Sequence, residues 1–192
     1  MALPALSDTV PSAWVNRFAP LIRPGPVLDL ACGSGRHSRL LAALGLQVVA
    51  VDRDAAALKE LSCAAIRPLC IDLEQEGAHD AMQVLQPEYF AGIVVTNYLH
   101  RPLLPYLFDS LVDGGVLIYE TFARGNAAFG KPSNPAFLLE PNELLDAARN
   151  ASCRVHIVAF ENGFQSAPRP AMVQRLCAIR CVDMPSAQAM EL

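Results

Sequence analysis

The sequence predicts a single-domain α/β fold with a mostly parallel seven-stranded sheet, helices on both faces and an antiparallel C-terminal hairpin. Short apolar runs alternate with helical patterns along the 192 residues, which is typical of βαβ units. The first apolar run ends in a glycine-rich turn that leads directly into a helix. The last two runs are separated by a segment that contains glycine and prolines, which favours a hairpin.

Seven apolar runs have the length of strands, with predicted bounds 27–30, 47–52, 65–71, 90–97, 116–122, 154–160 and 172–182. Amphipathic patterns predict helices at 12–18, 36–44, 103–112 and 141–148, another after residue 54, and a short helix with loops within 74–89. Ser12 and Asp54 are the predicted N-caps of the helices that follow them. Gly45 suits the left-handed position after a helix, and the continuously apolar run at 90–97 is expected to be covered on both faces.

The chain is predicted to divide into three parts. Residues 1–25 form an N-terminal extension with a short helix that covers the ligand site, residues 26–183 form the main domain, and residues 184–192 form a C-terminal tail. The segment 124–136 is long for a loop in a compact domain, so we expect it to act as a lid.

Composition narrows the classes of function. The formal net charge of −4 gives no positive field to attract nucleic acid, so a small molecule is the expected partner. No apolar run reaches the length of a membrane span, and the first residues lack the basic start of a secretory signal, which predicts a cytoplasmic protein. The six cysteines form no CxxC pair and no cluster of zinc spacing, which predicts buried free thiols and no metal site.

The turn after the first predicted strand has the features of a ligand site. Gly33 and Gly35 carry no Cβ, so the backbone there can approach a ligand closely. A helix begins directly afterwards, and its free N–H groups suit a carboxylate or a phosphate. Ligands of open parallel sheets bind beyond the carboxyl ends of the strands, where this turn lies.

Two details distinguish this turn from a dinucleotide site. The dinucleotide fingerprint requires Gly-x-Gly-x-x-Gly, but Ser38 stands where the third glycine belongs. Asp29 lies inside the strand, four residues before Gly33. A carboxylate there suits a ligand with an ammonium group and would repel a pyrophosphate. An NAD-dependent oxidoreductase remains an alternative reading of the turn.

The segment 29–35 (Asp-Leu-Ala-Cys-Gly-Ser-Gly) resembles motif I of class I S-adenosylmethionine-dependent methyltransferases, whose fold is Rossmann-like. Asp52 follows Asp29 by 23 residues, where an acid of this family accepts the ribose hydroxyls. Asp72 and Leu73 resemble the pair that holds the adenine. Residues 32–38 are most similar to the small methyltransferases related to tellurite-resistance proteins, and the resemblance covers roughly residues 25–183.

The resemblance implies S-adenosylmethionine as the cofactor and a methyltransferase domain at 26–183. The residues that the sequence and the resemblance assign to the cofactor are Asp29, Ala31, Gly33, Gly35, Arg36, Asp52, Arg53, Asp72, Leu73 and Asn97. Arg36 is equally consistent with a solvated helix residue. Cys32 lies inside the motif, but we expect it to be a small packing residue and not a nucleophile. The candidates for catalysis or acceptor contact are Tyr98, His100 and Glu120, followed by Tyr119 and Arg169.

We therefore expect methyl transfer from S-adenosylmethionine to a small-molecule acceptor by in-line displacement. The leaving thioether needs no proton, so the protein mainly has to align the acceptor and exclude water. A catalytic residue need not be visible in the sequence. A non-catalytic protein that binds S-adenosylmethionine is the second alternative, besides the NAD-dependent oxidoreductase.

Overall fold

The computed structural model describes residues 10–61, 63–75 and 83–181, and it contains one sheet of seven strands in the order β3-β2-β1-β4-β5-β7-β6. The strands are β1 (Pro26–Leu30), β2 (Gln47–Asp52), β3 (Ile66–Cys70), β4 (Phe90–Thr96), β5 (Leu111–Phe122), β6 (Val155–Gln165) and β7 (Ala171–Arg180). The first five strands run parallel, and β7 lies antiparallel between β5 and β6. The predicted α/β fold is therefore confirmed.

Helices cover both faces of the sheet. The α-helices are α1 (Ala13–Phe18), α2 (Arg36–Ala43), α3 (Ala55–Leu58), α4 (Leu104–Asp109) and α5 (Glu143–Arg149). Alternate residues of β1 divide between two cores: Val27 packs with α1, α2 and α3, whereas Leu28 and Leu30 pack with α4 and α5. Every residue of β4 is buried, as its unbroken apolar sequence predicts. No helix in the described part of the chain is long and apolar enough to cross a membrane.

The helix ends agree with the local sequence signals. The Ser12 hydroxyl accepts a hydrogen bond from the Trp14 N–H at the start of α1. The Asp54 carboxylate accepts from the N–H groups of Ala56 and Ala57 at the start of α3. Gly45 follows α2 with φ of 84°, in the left-handed region. These three predictions are confirmed, and the Asp54 cap leaves Asp52 available for another role.

Two predicted helices have different bounds in the structure. The helix predicted at 103–112 ends at Asp109, because Leu111 pairs with Phe90 and already belongs to β5. The helix predicted at 141–148 begins at Glu143, after Asn142 with φ of 64°. Periodicity alone did not show where helix gave way to extended chain.

The segments beside the sheet are tied to it by side chains. Trp14, Val15 and Phe18 of α1 are buried against the sheet, so this part of the N-terminal extension belongs to the core. In the predicted lid, the buried Asn126 side chain donates to the Pro132 carbonyl and accepts from the Met172 N–H. The tail at 184–192 lies outside the described residues.

Candidate functional site

The loop between β1 and α2 has a backbone that only particular residues adopt easily. Ala31 and Gly33 both have φ of 55°, and Gly35 has φ of 75°. A Cβ added to Gly33 would meet no atom within 4 Å, whereas one added to Gly35 would collide with the Leu61 side chain. Gly33 therefore borders open space, and Gly35 allows the start of α2 to pack closely against Leu61, in the short helical turn after α3.

A cavity of about 510 Å³ opens above this loop, at the carboxyl ends of β1 to β4. Eight of the ten residues predicted to hold the cofactor line it, namely Ala31, Gly33, Arg36, Asp52, Arg53, Asp72, Leu73 and Asn97. The lining residues that the prediction did not include are Cys32, Ser34, Ile71, Glu74, Thr96 and Tyr98, of which Tyr98 was predicted as a catalytic candidate. Asp29, in β1, and Gly35, at the end of the loop, do not line the cavity.

Asp29 faces α2. Its side chain is 1% exposed, and Oδ2 accepts a hydrogen bond of 2.5 Å from the Ser38 hydroxyl. Burial raises the pKa of the Asp29 carboxyl to about 6, against the lowering effect of the Ser38 hydrogen bond. Ser38 is the residue that stands in place of the third dinucleotide glycine, and it is fully buried. The two departures from the dinucleotide pattern therefore form one interaction that fixes α2 to β1.

Asp52 joins the loop to the end of β2. Its Oδ2 accepts from the Gly33 N–H at 2.7 Å, and its Oδ1 accepts from the Asp54 N–H at 2.9 Å. Each carboxylate oxygen has a second lone-pair direction, so the group can accept further hydrogen bonds from a ligand in the cavity. Asp52 thus shapes the cavity and presents a carboxylate to it.

The end of β4 brings Asn97 and Tyr98 to the cavity. Asn97 has φ of 55°, and its N–H donates to the Glu120 carbonyl. The Tyr119 hydroxyl, which is buried, donates to the Tyr98 carbonyl at 2.9 Å, so Tyr119 holds this turn and lines neither cavity. Burial beside Glu74 and Asp72 raises the pKa of Tyr98, which keeps its hydroxyl protonated at neutral pH.

His37 is a packed imidazole that links three elements. It is 1% exposed, its Nε2 accepts from the Ser12 N–H at 3.0 Å, and its Nδ1 lies 3.2 Å from the Thr96 hydroxyl. An accepting Nε2 requires a neutral ring with the proton on Nδ1. Burial lowers the pKa of His37 to about 3, with a smaller contribution from Arg36.

His100 and Arg101, which follow Tyr98 in the sequence, do not line the first cavity. His100 is half-buried, lines neither cavity and precedes the short helical turn Arg101–Leu103. The Arg101 guanidinium donates to both carboxylate oxygens of Glu143 and to the carbonyls of Ala136 and Leu138. Arg101 therefore has a structural role: it holds the segment from the end of the predicted lid to the start of α5.

A second cavity, of about 550 Å³, lies beside the first and shares Arg36 and Asn97 in its lining. Its other lining residues come from the N-terminal segment, β5, the end of β6, the turn before β7 and β7 itself; they are Val10, Pro11, Ser12, Ala13, Glu120, Phe122, Gln165, Ala167, Pro168, Arg169, Val173 and Arg175. Glu120 and Arg169 were candidates from the sequence. None of the residues 124–136, predicted as a lid, borders either cavity.

Glu120 is held by an arginine of the neighbouring strand. Arg175 Nε donates to Glu120 Oε2 at 2.5 Å, and the other nitrogens of this guanidinium contact Glu161 and Gln165. Burial raises the pKa of Cys32, which keeps this thiol protonated at neutral pH. Glu120 and Arg175 therefore offer charged groups at the second cavity, and none of Glu120, Arg175 and Cys32 is an activated nucleophile.

The sheet order and the cavity beyond β1 define a class: the protein has the fold of the S-adenosylmethionine-dependent methyltransferases. A family model described as tellurite resistance protein TehB matches residues 9–107, which is about half of the chain. The chain belongs to the TehB family. S-adenosylmethionine is the cofactor that the family and the fold indicate. No curated protein sequence matches the chain significantly.

Solved structures with this fold include TehB from Haemophilus influenzae, with a TM-score of 0.67 and 19% identity over 88% of this chain and 62% of that chain. The chain thus spans less than two thirds of that TehB. An S-adenosylmethionine-dependent methyltransferase from Mesorhizobium loti has a TM-score of 0.66 and 15% identity, over 86% of this chain and 95% of that one. One from Archaeoglobus fulgidus has a TM-score of 0.65 and 15% identity, over 88% and 92%.

The shape, charged groups and volume of the first cavity fit this cofactor. The open space over Gly33 admits a ligand directly against the backbone. Three carboxylates at its rim, those of Asp52, Asp72 and Glu74, suit the hydroxyl and amino donors of a nucleoside, and Arg36 suits a carboxylate. The volume of about 510 Å³ is in the range of small-molecule sites.

Proposed function

We propose that the protein transfers the methyl group of S-adenosylmethionine to a small-molecule acceptor. The observation that carries the proposal is the contact between the two cavities, which share Arg36 and Asn97. One cavity has the features of the cofactor site, and the other provides a separate space for an acceptor. The methyl group would cross where the two cavities meet, by in-line displacement.

The cofactor residues have distinct tasks in this proposal. Asp52 accepts the ribose hydroxyls while it keeps its bonds to the backbone at Gly33 and Asp54. Asp72 and Leu73 hold the adenine, and Arg36 pairs with the carboxylate of the methionine part. Asp29 and Gly35 act indirectly, because they position α2 and do not line the cavity.

When bound, the cofactor supplies an electrophilic methyl group whose leaving group departs as a neutral thioether. The chain's residues then have to align the acceptor and exclude water. Tyr98 is unsuited to be a general base because its pKa is raised, and Glu120 is already engaged by Arg175. His100 lines neither cavity. We therefore propose an acceptor whose reacting atom carries no proton at neutral pH, so that it needs no base from the protein.

The direct test is a screen for release of S-adenosylhomocysteine. Purified protein is incubated with S-adenosylmethionine and, separately, with tellurite, selenite, thiols, phenols and carboxylates. The proposal predicts acceptor-dependent release that Asp52→Ala reduces at least tenfold at limiting cofactor. A folded protein that binds S-adenosylhomocysteine but releases none with any acceptor would favour the non-catalytic alternative. Binding of NADH in preference to S-adenosylhomocysteine would favour the oxidoreductase.

A further inference from the structure

The geometry points to an organic acid with an apolar body as the ligand of the second cavity, with its carboxylate towards Arg169 and its reacting end towards Asn97. This inference rests on the proposed function and deepens it, because it names the chemical class of the acceptor. It separates an extended organic anion from a bare inorganic oxyanion. Three features of the cavity support it: the lining, the distribution of charge and the order of the residues along the sheet.

The lining is that of a site for an organic molecule. Of its fourteen residues, Val10, Pro11, Ala13, Phe122, Ala167, Pro168 and Val173 are apolar. A volume of about 550 Å³ is in the range of sites for organic ligands, and a single oxyanion would leave most of it filled with water. Apolar walls of this extent gain free energy only from a ligand with apolar surface to bury.

Three arginines line the second cavity, and they differ in their surroundings: Arg36 borders the first cavity as well, Arg175 lies among acidic and amide side chains, and Arg169 lies at the far end. Arg175 is engaged by Glu120, Glu161 and Gln165, and it in turn neutralises Glu120. Arg169 forms no ion pair within the described residues, and its guanidinium lies 5.5 Å from the centre of the Phe122 ring. A planar guanidinium presented over an aromatic ring suits a carboxylate, which it can bind through two hydrogen bonds.

The register of the sheet orders these groups. The Asn97 N–H donates to the Glu120 carbonyl, and Glu120 pairs with Arg175 across β5 and β7, so these residues form one row next to the cofactor cavity. Phe122 pairs with Val173 two residues further along the strands, about 7 Å away. Arg169 lies over Phe122, beyond that row. An acceptor that spans the second cavity therefore has one end next to the cofactor cavity, its middle against Phe122 and Val173, and its other end at Arg169.

The test measures binding of an unreactive probe, independently of turnover. The protein is saturated with S-adenosylhomocysteine, and 3-phenylpropionate is titrated by calorimetry, with 3-phenylpropionamide as the neutral counterpart and selenite as the inorganic oxyanion. We expect the carboxylate to bind at least tenfold more tightly than the amide and than selenite. Arg169→Gln should weaken its binding tenfold or more. The matched control is Arg154→Gln, which removes an exposed arginine outside both cavities and should leave binding unchanged.

Each other outcome overturns the inference. Equal affinity for the acid and the amide would show that the cavity does not select an anionic group. Equal affinity of the wild type and Arg169→Gln for the acid would show that Arg169 does not bind the carboxylate. Selenite binding without 3-phenylpropionate binding makes the ligand a small oxyanion. Binding of S-adenosylhomocysteine is measured first, so a protein that binds it but not the organic acid contradicts the inference alone. A folded protein that does not bind it contradicts the proposed function.

Discussion

Asp52 connects the loop after β1 to the end of β2 and lines the proposed cofactor cavity. Its carboxylate already accepts from the N–H groups of Gly33 and Asp54, so it holds the loop in place before any ligand arrives. Asp52→Ala removes this support and, in the proposed site, also the acceptor for the ribose hydroxyls. We expect at least a tenfold loss of affinity for S-adenosylhomocysteine, or about 1.4 kcal/mol, measured by calorimetry.

The neighbouring Asp54 offers a matched control. Its side chain caps α3 and lines neither cavity, so Asp54→Ala should lower the free energy of unfolding by about 1 kcal/mol and leave the affinity nearly unchanged. If both variants lose affinity equally, the effect is structural and Asp52 has no direct contact with the ligand.

Two buried residues, His37 and Asp29, should give opposite pH dependences of stability. The pKa of His37 falls from 6.5 to about 3 on folding, so the unfolded chain alone takes up this proton as the pH falls below 6.5, and stability is lost. The pKa of Asp29 rises from 3.8 to about 6, so the folded protein takes up this proton first, and stability is gained between about pH 6 and 3.8.

The variants His37→Gln and Asp29→Asn separate these contributions. Between pH 7 and pH 5, His37→Gln should lose about 2 kcal/mol less stability than the wild type, and Asp29→Asn about 1 kcal/mol more. Urea unfolding at each pH measures both differences. Identical pH profiles for all three proteins would show that neither group has a shifted pKa in the folded state.

At the scale of elements, the two glycines of the β1–α2 loop have different duties. Ala at either position adopts a left-handed backbone at a cost of about 1–2 kcal/mol. Gly35→Ala also forces a Cβ into Leu61, so its loss of stability should exceed that of Gly33→Ala by about 1–3 kcal/mol.

Gly33→Ala places its Cβ in the open space of the cavity, so it should lower the affinity for S-adenosylhomocysteine at least tenfold. Thermal unfolding and calorimetry on the two purified variants check the contrast. A Gly33 variant with normal affinity would show that the ligand does not approach this part of the loop.

The sequence predicted the central elements well because their signals are local. The loop at 29–35, the caps at Ser12 and Asp54 and the unbroken apolar β4 each depend on neighbouring residues alone. The predictions were wrong where tertiary pairing decides, as at Leu111, which pairs with Phe90 and ends the helix early. A propensity pattern cannot show that competition.

At the scale of the whole molecule, the second cavity could not be predicted from sequence. Its wall joins the N-terminal segment to β5 and β7, and the Glu120–Arg175 pair spans 55 residues of chain. Strand alternation indicates which face a residue occupies, but it does not give the partner across the sheet. The sequence indicated Glu120 and Arg169 as candidates, whereas Gln165, Phe122 and Arg175 gave no signal.

The motif position of Asp29 predicts contact with the cofactor, but in the structure Asp29 lines neither cavity. A carboxylate inside a strand is conspicuous in sequence, but its direction depends on the pleat, and Asp29 points to the α2 side, where Ser38 binds it. Its effect on the ligand is therefore indirect, through the position of α2.

We propose that the cavity beyond β1 holds S-adenosylmethionine and serves methyl transfer. Calorimetric titration of the folded protein with S-adenosylhomocysteine, with NADH titrated in parallel, tests it most directly. We expect saturable binding of one S-adenosylhomocysteine per chain and no comparable binding of NADH. Absence of S-adenosylhomocysteine binding to a protein shown to be folded, or tighter binding of NADH, would contradict it.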